Sequence, residues 1–275
     1  MAVIMALVGA IVGSFVNVVI DRVPARQSLL RPGSHCPSCQ RALRPVELVP
    51  VFSYVALRGR CRTCDAPIPR RVLLVEVATA VLFAALWIGN DRVAPAVPGG
   101  TLWTAAIAVY GCVMIALFVI DLEHRRVPNA IVLPAMGLAL VMTPVLAWLA
   151  PRYAHYGVVA WVAPALPLPL AALIGQLVGG VAAFGIFWLI WRIAPQGMGA
   201  GDVKLAGFVG LLTGFPCALA AVFGSFILGG VVAAVLLLSG RVGRKTAIPF
   251  APFLIVAAFA VMVFGDVLLA WYLRR

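Results

Sequence analysis

Long apolar runs recur along the whole chain and decide what it can fold into. A helix needs roughly 20 apolar residues to cross the hydrocarbon core of a bilayer. Hydrophobic residues make up 64% of this chain and charged residues only 11%, whereas a soluble domain carries about 25% charged residues to wet its surface. The sequence therefore predicts an all-α integral membrane protein and excludes a cytosolic enzyme, a disordered regulator and a secreted disulfide scaffold. About eight transmembrane helices are predicted, the sixth short and Gly-rich, over residues 1–20, 72–89, 101–120, 131–150, 168–193, 203–215, 217–239 and 249–273.

Lysine and arginine are distributed unevenly between the loops. Ten of the 21 basic residues lie in loop 21–71, and the loops on that side of the predicted membrane hold 17 against 4 on the other. Because basic loops stay in the cytoplasm, we expect loop 21–71 to be cytoplasmic and both termini to lie outside. The net charge of +12 is thus explained by basic loops that orient the chain in the bilayer. We therefore expect no nucleic acid partner.

The largest polar segment predicts one small extramembrane domain. Residues 21–71 contain no long periodic pattern, and a domain of this size needs a staple such as a metal ion. The predicted organisation is a first transmembrane helix at 1–20, a four-Cys loop at 21–71, a second helix and external loop at 72–100, and a membrane domain at 101–275.

Two Cys-x-x-Cys pairs supply that staple. Cys36 and Cys39 are separated by 21 residues from Cys61 and Cys64, which is close to the spacing of a four-thiolate zinc ribbon. Four thiolates complete a closed tetrahedral site, so the predicted zinc is structural. Disulfide or redox use is the alternative, and a reducing cytoplasm disfavours it.

Three carboxylates lie where acids are rare. Asp121 follows the apolar run 112–120, and Asp202 follows the Gly-rich stretch 197–201, both at the cytoplasmic ends of predicted spans. Two carboxyl groups in a low-dielectric site do not both ionise easily, so one can serve as base and the other as acid in amide hydrolysis. Two independent helix-end charges are the alternative. Glu76 lies five residues into the second predicted span and needs a partner, for which Arg70 or Arg71 is within reach.

At these residues the sequence resembles the type IV prepilin peptidases, which are integral-membrane aspartic proteases. Residues 197–205 resemble the GxGD motif of that family, and residues 120–128 its first aspartate motif. Segments 13–24 and 248–254, the paired Cys-x-x-Cys and Val75–Glu76 also match in order. Asn129 stands where the family often carries an acid.

The resemblance implies a function and a set of site residues. Family members remove the basic leader of type IV prepilins and type II secretion pseudopilins, after a glycine, at the cytoplasmic face of the bacterial inner membrane. The longer, four-Cys members then N-methylate the new N-terminus with S-adenosylmethionine. Carried onto this sequence, the catalytic residues are Asp121 and Asp202, and the supporting motif residues are Gly199, Gly201, Lys204 and Pro128.

Methylation is implied by the resemblance alone. No G-x-G-x-x-G follows a strand, with an acid about 20 residues further on. Asn17 and Glu76 are candidate contributors because they adjoin the loop. Three alternatives stay open: a peptidase without methyltransferase activity, an ion or proton transporter, and a zinc-ribbon scaffold for a cytosolic partner. Acids clustered at one membrane face argue against a transport relay, a scaffold leaves the Gly-rich stretch unexplained, and the oligomeric state is left open.

Overall fold

The chain is almost entirely helical in the computed structural model, which describes residues 1–93, 100–149, 163, 165–195, 197–240, 243 and 248–273. A single 3-10 turn, Pro45–Leu48, precedes α2 in the loop. The helices are α1 (Ala2–Arg22), α2 (Phe52–Ala56), α3 (Arg70–Val93), α4 (Gly100–His124), α5 (Asn129–Leu149), α6 (Leu168–Ile193), α7 (Ala200–Thr213), α8 (Cys217–Leu238) and α9 (Ala251–Leu273).

Each of the eight predicted spans overlaps a different helix of the structure, and the protein is a multi-pass membrane protein. Six helices in the described ranges are long and apolar enough to cross a bilayer: α1, α3, α4, α5, α6 and α8. Helix α7 has only 14 residues, and the apolar part described for α9 is Ala251–Phe264. A helical membrane architecture is thus confirmed, whereas the count of eight crossings is not.

The described residues form two units. The first contains α1, the loop, α3 and Thr104–Val119 of α4; the second contains Ile120–Arg275 together with the beginning of α4. The orientation of the loops and termini stays a prediction.

In the first unit, glycines bring α1 and α3 together as an antiparallel hairpin. A Cβ atom at Gly9 would lie 2.5 Å from the carbonyl oxygen of Thr79, so only a residue without a side chain allows this approach. Nearer the loop, the side-chain amide of Asn17 donates to the carbonyl oxygen of Val72 over 3.0 Å. The opposite face of α1 exposes a stripe of apolar side chains, which suits lipid: Val3, Leu7, Ile11 and Phe15.

In the second unit, a similar contact joins α6 to α7. A Cβ atom at Gly179 would lie 2.6 Å from the carbonyl carbon of Gly214 and 2.7 Å from the oxygen of Gly210. The backbone N–H of Phe215 donates to the carbonyl oxygen of Gly175 over 2.9 Å. Close backbone approach through small residues is how membrane helices gain packing energy, and here it fixes the short helix that carries Asp202.

We expect Gly179→Ala to destabilise the protein, because the added methyl group has no room between α6 and α7. Overpacking of this kind costs roughly 1–3 kcal/mol. Gly185→Ala on the same helix is the matched control, since open space surrounds that position and alanine favours helix over glycine. Thermal unfolding of both variants in one detergent checks this; an unchanged midpoint for Gly179→Ala contradicts the packing argument.

Candidate active site and metal centre

Asp202 is placed by the turn that begins α7. Gly199 is the N-cap of the helix, and its backbone N–H donates to Oδ2 of Asp202 over 3.1 Å. An acidic side chain in the first turn also interacts favourably with the helix dipole. The Gly-rich sequence thus ends in a carboxylate whose position is set by the helix start.

Asp121 lies near the end of α4 and is 5% exposed. Its carbonyl oxygen accepts the N–H of Arg125 over 2.9 Å, which closes the last turn of the helix. Among the described residues, Oδ2 of Asp121 is buried without a hydrogen-bond partner. A buried polar atom left in this way is costly unless something binds it, and in this position a water molecule or a substrate peptide would do so.

Three contacts bring the two aspartate motifs together in the second unit. The carboxyl groups of Asp121 and Asp202 are close enough to interact electrostatically. A Cβ atom at Gly201 would lie 3.0 Å from Cβ of Val127, so glycine admits the segment that follows α4. Nζ of Lys204 donates to Oδ1 of Asn129 over 2.9 Å, which gives a partner to the residue that departs from the family pattern.

Pro128 sets the start of the next helix. Its carbonyl oxygen accepts the N–H groups of Ile131 and Val132, both over 3.1 Å, which are the first bonds of α5. A proline suits such a position because its missing N–H has no helical partner to lose. Pro128, the proline of the first aspartate motif, therefore helps to determine where α5 begins after Asp121.

The start of α9 supplies a donor that sequence reasoning missed. The backbone N–H of Ala251 lies beside the carboxyl group of Asp121. Phe250, one residue earlier, packs against Phe187 and Phe226 with ring centroids 5.6 and 5.3 Å apart. This aromatic cluster fixes the point where α9 begins, so segment 248–254 has a direct role beside Asp121.

The two Cys-x-x-Cys pairs fold into repeated knuckles. The N–H of Cys36 donates to the carbonyl oxygen of Arg41 (3.0 Å), and the N–H of Cys61 donates to that of Ala66 (2.8 Å). Gln40 and Asp65, each four residues after the first cysteine of its knuckle, have a positive φ. The backbone N–H of Gln40 donates to the carbonyl oxygen of Cys36, and that of Asp65 donates to the carbonyl oxygen of Cys61.

The knuckles gather four sulfurs at a spacing that suits zinc. The Sγ atoms of the four cysteines lie within 4.8 Å of one another, and those of Cys36 and Cys64 are 3.7 Å apart. Tetrahedral zinc with Zn–S bonds of about 2.3 Å places its sulfurs about 3.8 Å apart. All four cysteines are free thiols in the structure, so the arrangement fits a metal rather than disulfides.

Backbone donors within the knuckles favour the thiolate form that a metal needs. The N–H groups of Cys64 and Thr63 lower the pKa of the Cys61 thiol to about 6. Those of Cys39 and Ser38 likewise lower the pKa of Cys36.

An ion pair braces the first knuckle. The guanidinium of Arg41 binds both carboxylate oxygens of Glu47, at 2.8 and 3.0 Å. That pairing, with the N–H of Arg44, lowers the pKa of Glu47 to about 2, so the bond is ionic at neutral pH.

Asn17 and Glu76 both line a cavity of about 490 Å³ in the first unit, which we call the loop cavity. The loop forms one side, and the loop-proximal ends of α1 and α3 form the other. Glu76 is 5% exposed and accepts a hydrogen bond from the N–H of Val51 (2.6 Å), and the hydroxyl of Ser14 lies beside it. Its expected partner Arg71 bonds Asp21 at 2.6 Å.

Two carboxyl groups at helix ends, that of Asp121 buried and that of Asp202 half-buried, are the make-up of an aspartic peptidase site inside a helical membrane protein. Comparison with known proteins is consistent with that class. Residues 108–234 match the Type IV leader peptidase family, and residues 7–89 match the Bacterial Peptidase A24 N-terminal domain. The chain belongs to the type IV leader peptidase family.

Several curated relatives carry the name prepilin leader peptidase/N-methyltransferase. The protein of Pseudomonas aeruginosa is 30% identical over 98% of this chain and 92% of its own length. The Bacillus subtilis protein is 28% identical over 98% of this chain and 97% of its own length. The Burkholderia pseudomallei protein is 32% identical over 94% of this chain and 84% of its own length. No solved structure matches the chain.

Proposed function

We propose that this protein removes the leader peptide of type IV prepilins, with Asp121 and Asp202 as the catalytic pair. The observation that carries the proposal is the close approach of the two aspartate motifs in one unit, with their carboxyl groups near enough to interact electrostatically, in a chain that belongs to the type IV leader peptidase family. Curated relatives across nearly the full length are named for the same activity.

The chemistry follows from one ionised and one protonated carboxyl group. The ionised group takes a proton from a water molecule, whose oxygen attacks the scissile carbonyl carbon. The protonated group gives its proton to the amide nitrogen as the C–N bond breaks, and the pair is left in the reverse protonation state. The unpartnered Oδ2 of Asp121 is an acceptor available to that water.

The position of the pair suits a prepilin. Such a substrate is a membrane helix with a basic leader in the cytosol, so its scissile bond lies at the interface. A glycine before the cut lets the substrate backbone approach closely. We place the site at the cytoplasmic face of a bacterial inner membrane, following the asymmetry of basic loops, and include pseudopilins of type II secretion among the substrates.

The second proposed activity is N-methylation of the new N-terminus, with S-adenosylmethionine supplying the methyl group. The relatives' names include this activity, and the four-Cys loop that precedes the peptidase domain is present. One zinc ion held by Cys36, Cys39, Cys61 and Cys64 would keep that loop folded.

One experiment tests both activities. Purified protein is mixed with a prepilin in detergent or lipid discs, with and without S-adenosylmethionine, and the product masses are read. Loss of the leader supports the peptidase, and a further mass of about 14 Da, that of one methylene added by methylation, supports the transferase. An uncut prepilin contradicts the proposal and returns weight to a transporter or a scaffold.

A further inference from the structure

The loop cavity has the size and lining of a site for a small polar molecule. Ligand pockets span about 300–1,000 Å³, and this cavity measures about 490 Å³. Oδ1 of Asn17 is buried without a hydrogen-bond partner among the described residues, while the amide nitrogen of the same side chain is fixed on Val72. An oriented acceptor with nothing to accept indicates a missing donor.

We propose that the loop cavity binds S-adenosylmethionine, with the positively charged methionine end of the ligand against Glu76 and Asn17. The proposal rests on the proposed methyltransferase activity and gives that activity a place in the fold.

The charges of the cavity favour a cationic ligand group at one end. Two of its carboxylates already have cationic partners, because Asp21 pairs with Arg71 and Glu47 with Arg41. Glu76 differs, since Val51, which donates to it, and the neighbouring Ser14 are both neutral. A carboxylate held by neutral groups can still balance the positive charge of the sulfonium that S-adenosylmethionine carries.

Three of the four arginines that line the cavity, all except Arg62, are engaged in internal bonds, which argues against a phosphate-bearing ligand. Arg22 donates to four loop carbonyl oxygens, of which that of Pro32 is nearest at 2.7 Å. Arg41 and Arg71 bind carboxylates. Because these guanidinium groups already hold the protein together, a nucleotide phosphate or a lipid headgroup would have to displace an internal bond.

An aromatic ring in the lining suits the adenine base. Tyr54 lies in the wall of the cavity, and its hydroxyl donates to the carbonyl oxygen of Ile68 over 3.3 Å. Gly59, with φ of +67°, leaves room for that ring, because a Cβ atom there would lie 2.9 Å from the tyrosine oxygen. A ring that is held at its hydroxyl end offers a stable surface for stacking.

Direct binding to the full-length protein in lipid discs tests the site. We expect Glu76→Gln to weaken S-adenosylmethionine binding by about tenfold or more, as for loss of a charged contact. The same variant should bind S-adenosylhomocysteine almost as the parent does, because that ligand lacks the sulfonium charge. Asn17→Leu should weaken both ligands. Glu123→Gln removes an exposed carboxylate outside the cavity and the metal site and is the matched control.

Mapping the ligand on the parent protein keeps the test independent of the variants. Ultraviolet crosslinking of radiolabelled S-adenosylmethionine should label peptides within residues 14–76. Zinc content and leader cleavage establish that each variant is folded. Parental affinity in both cavity variants, or label confined to residues 120–275, overturns the site while methylated product still supports the proposed function. A parent protein that neither binds the ligand nor methylates pilin overturns both.

Discussion

Asp121→Asn and Asp202→Asn are each expected to abolish leader removal while the protein still inserts and folds. Asparagine keeps an oxygen that faces the N–H of Ala251 at position 121 and accepts that of Gly199 at position 202, but it can no longer exchange a proton with water or the leaving amine. Because acid–base groups contribute roughly 10²–10⁴ in rate each, we expect a loss of about a thousandfold in the initial rate. Cleavage of purified prepilin in lipid discs measures it.

The matched control is Glu123→Gln, which neutralises an exposed acid on the same helix two residues from Asp121. It should retain most of the parental rate. If either asparagine variant, present at the normal level, cuts prepilin at nearly the parental rate, then the two aspartates are not the catalytic pair.

Loss of a cysteine ligand should impair methylation far more than cleavage. Cys36→Ser or Cys64→Ser removes one of the four sulfurs, and the binding energy of structural zinc is folding energy for a loop this small. The proposed catalytic carboxyl groups lie in the other unit and are held by packing between membrane helices. We therefore expect zinc per chain to fall from one to near zero and methyl transfer to mature pilin to be lost, with leader removal largely kept.

Elemental analysis and the two activity assays on the same preparations decide the matter. Cys112→Ser is the control, because this cysteine lies in α4, outside the four-sulfur cluster. Asp121→Asn supplies the converse test, since it should still methylate a pilin cleaved beforehand. Equal losses of both activities in the cluster variants would show that the sites are not independent, and parent protein without metal would show that the loop is not a zinc site.

The helices could be predicted from the sequence because their length and apolarity are set by the bilayer. The proximity of the four cysteines could be predicted from their spacing alone. The two Cys-x-x-Cys pairs, which begin 25 residues apart at Cys36 and Cys61, fold into the same knuckle. The approach of Asp121 and Asp202 followed from the motifs that surround them.

Other features had no sequence signal. The donor from Ala251 is a backbone N–H, which every residue except proline carries, so only the fold reveals which one reaches Asp121. Glu76 was expected to need an arginine partner. Val51 lies in the loop and Ser14 on α1, so the groups around Glu76 are far apart in sequence and depend on tertiary packing.

The donor from Ala251 also bears on when the enzyme becomes competent during synthesis. Both aspartates have left the ribosome long before residues 250 and 251, yet the surroundings of Asp121 stay incomplete until that late segment packs against Phe187 and Phe226. A nascent or truncated chain that ends before Phe250 therefore carries both acids without a finished site. Truncation near the end of the chain is therefore expected to cost activity although both aspartates are retained.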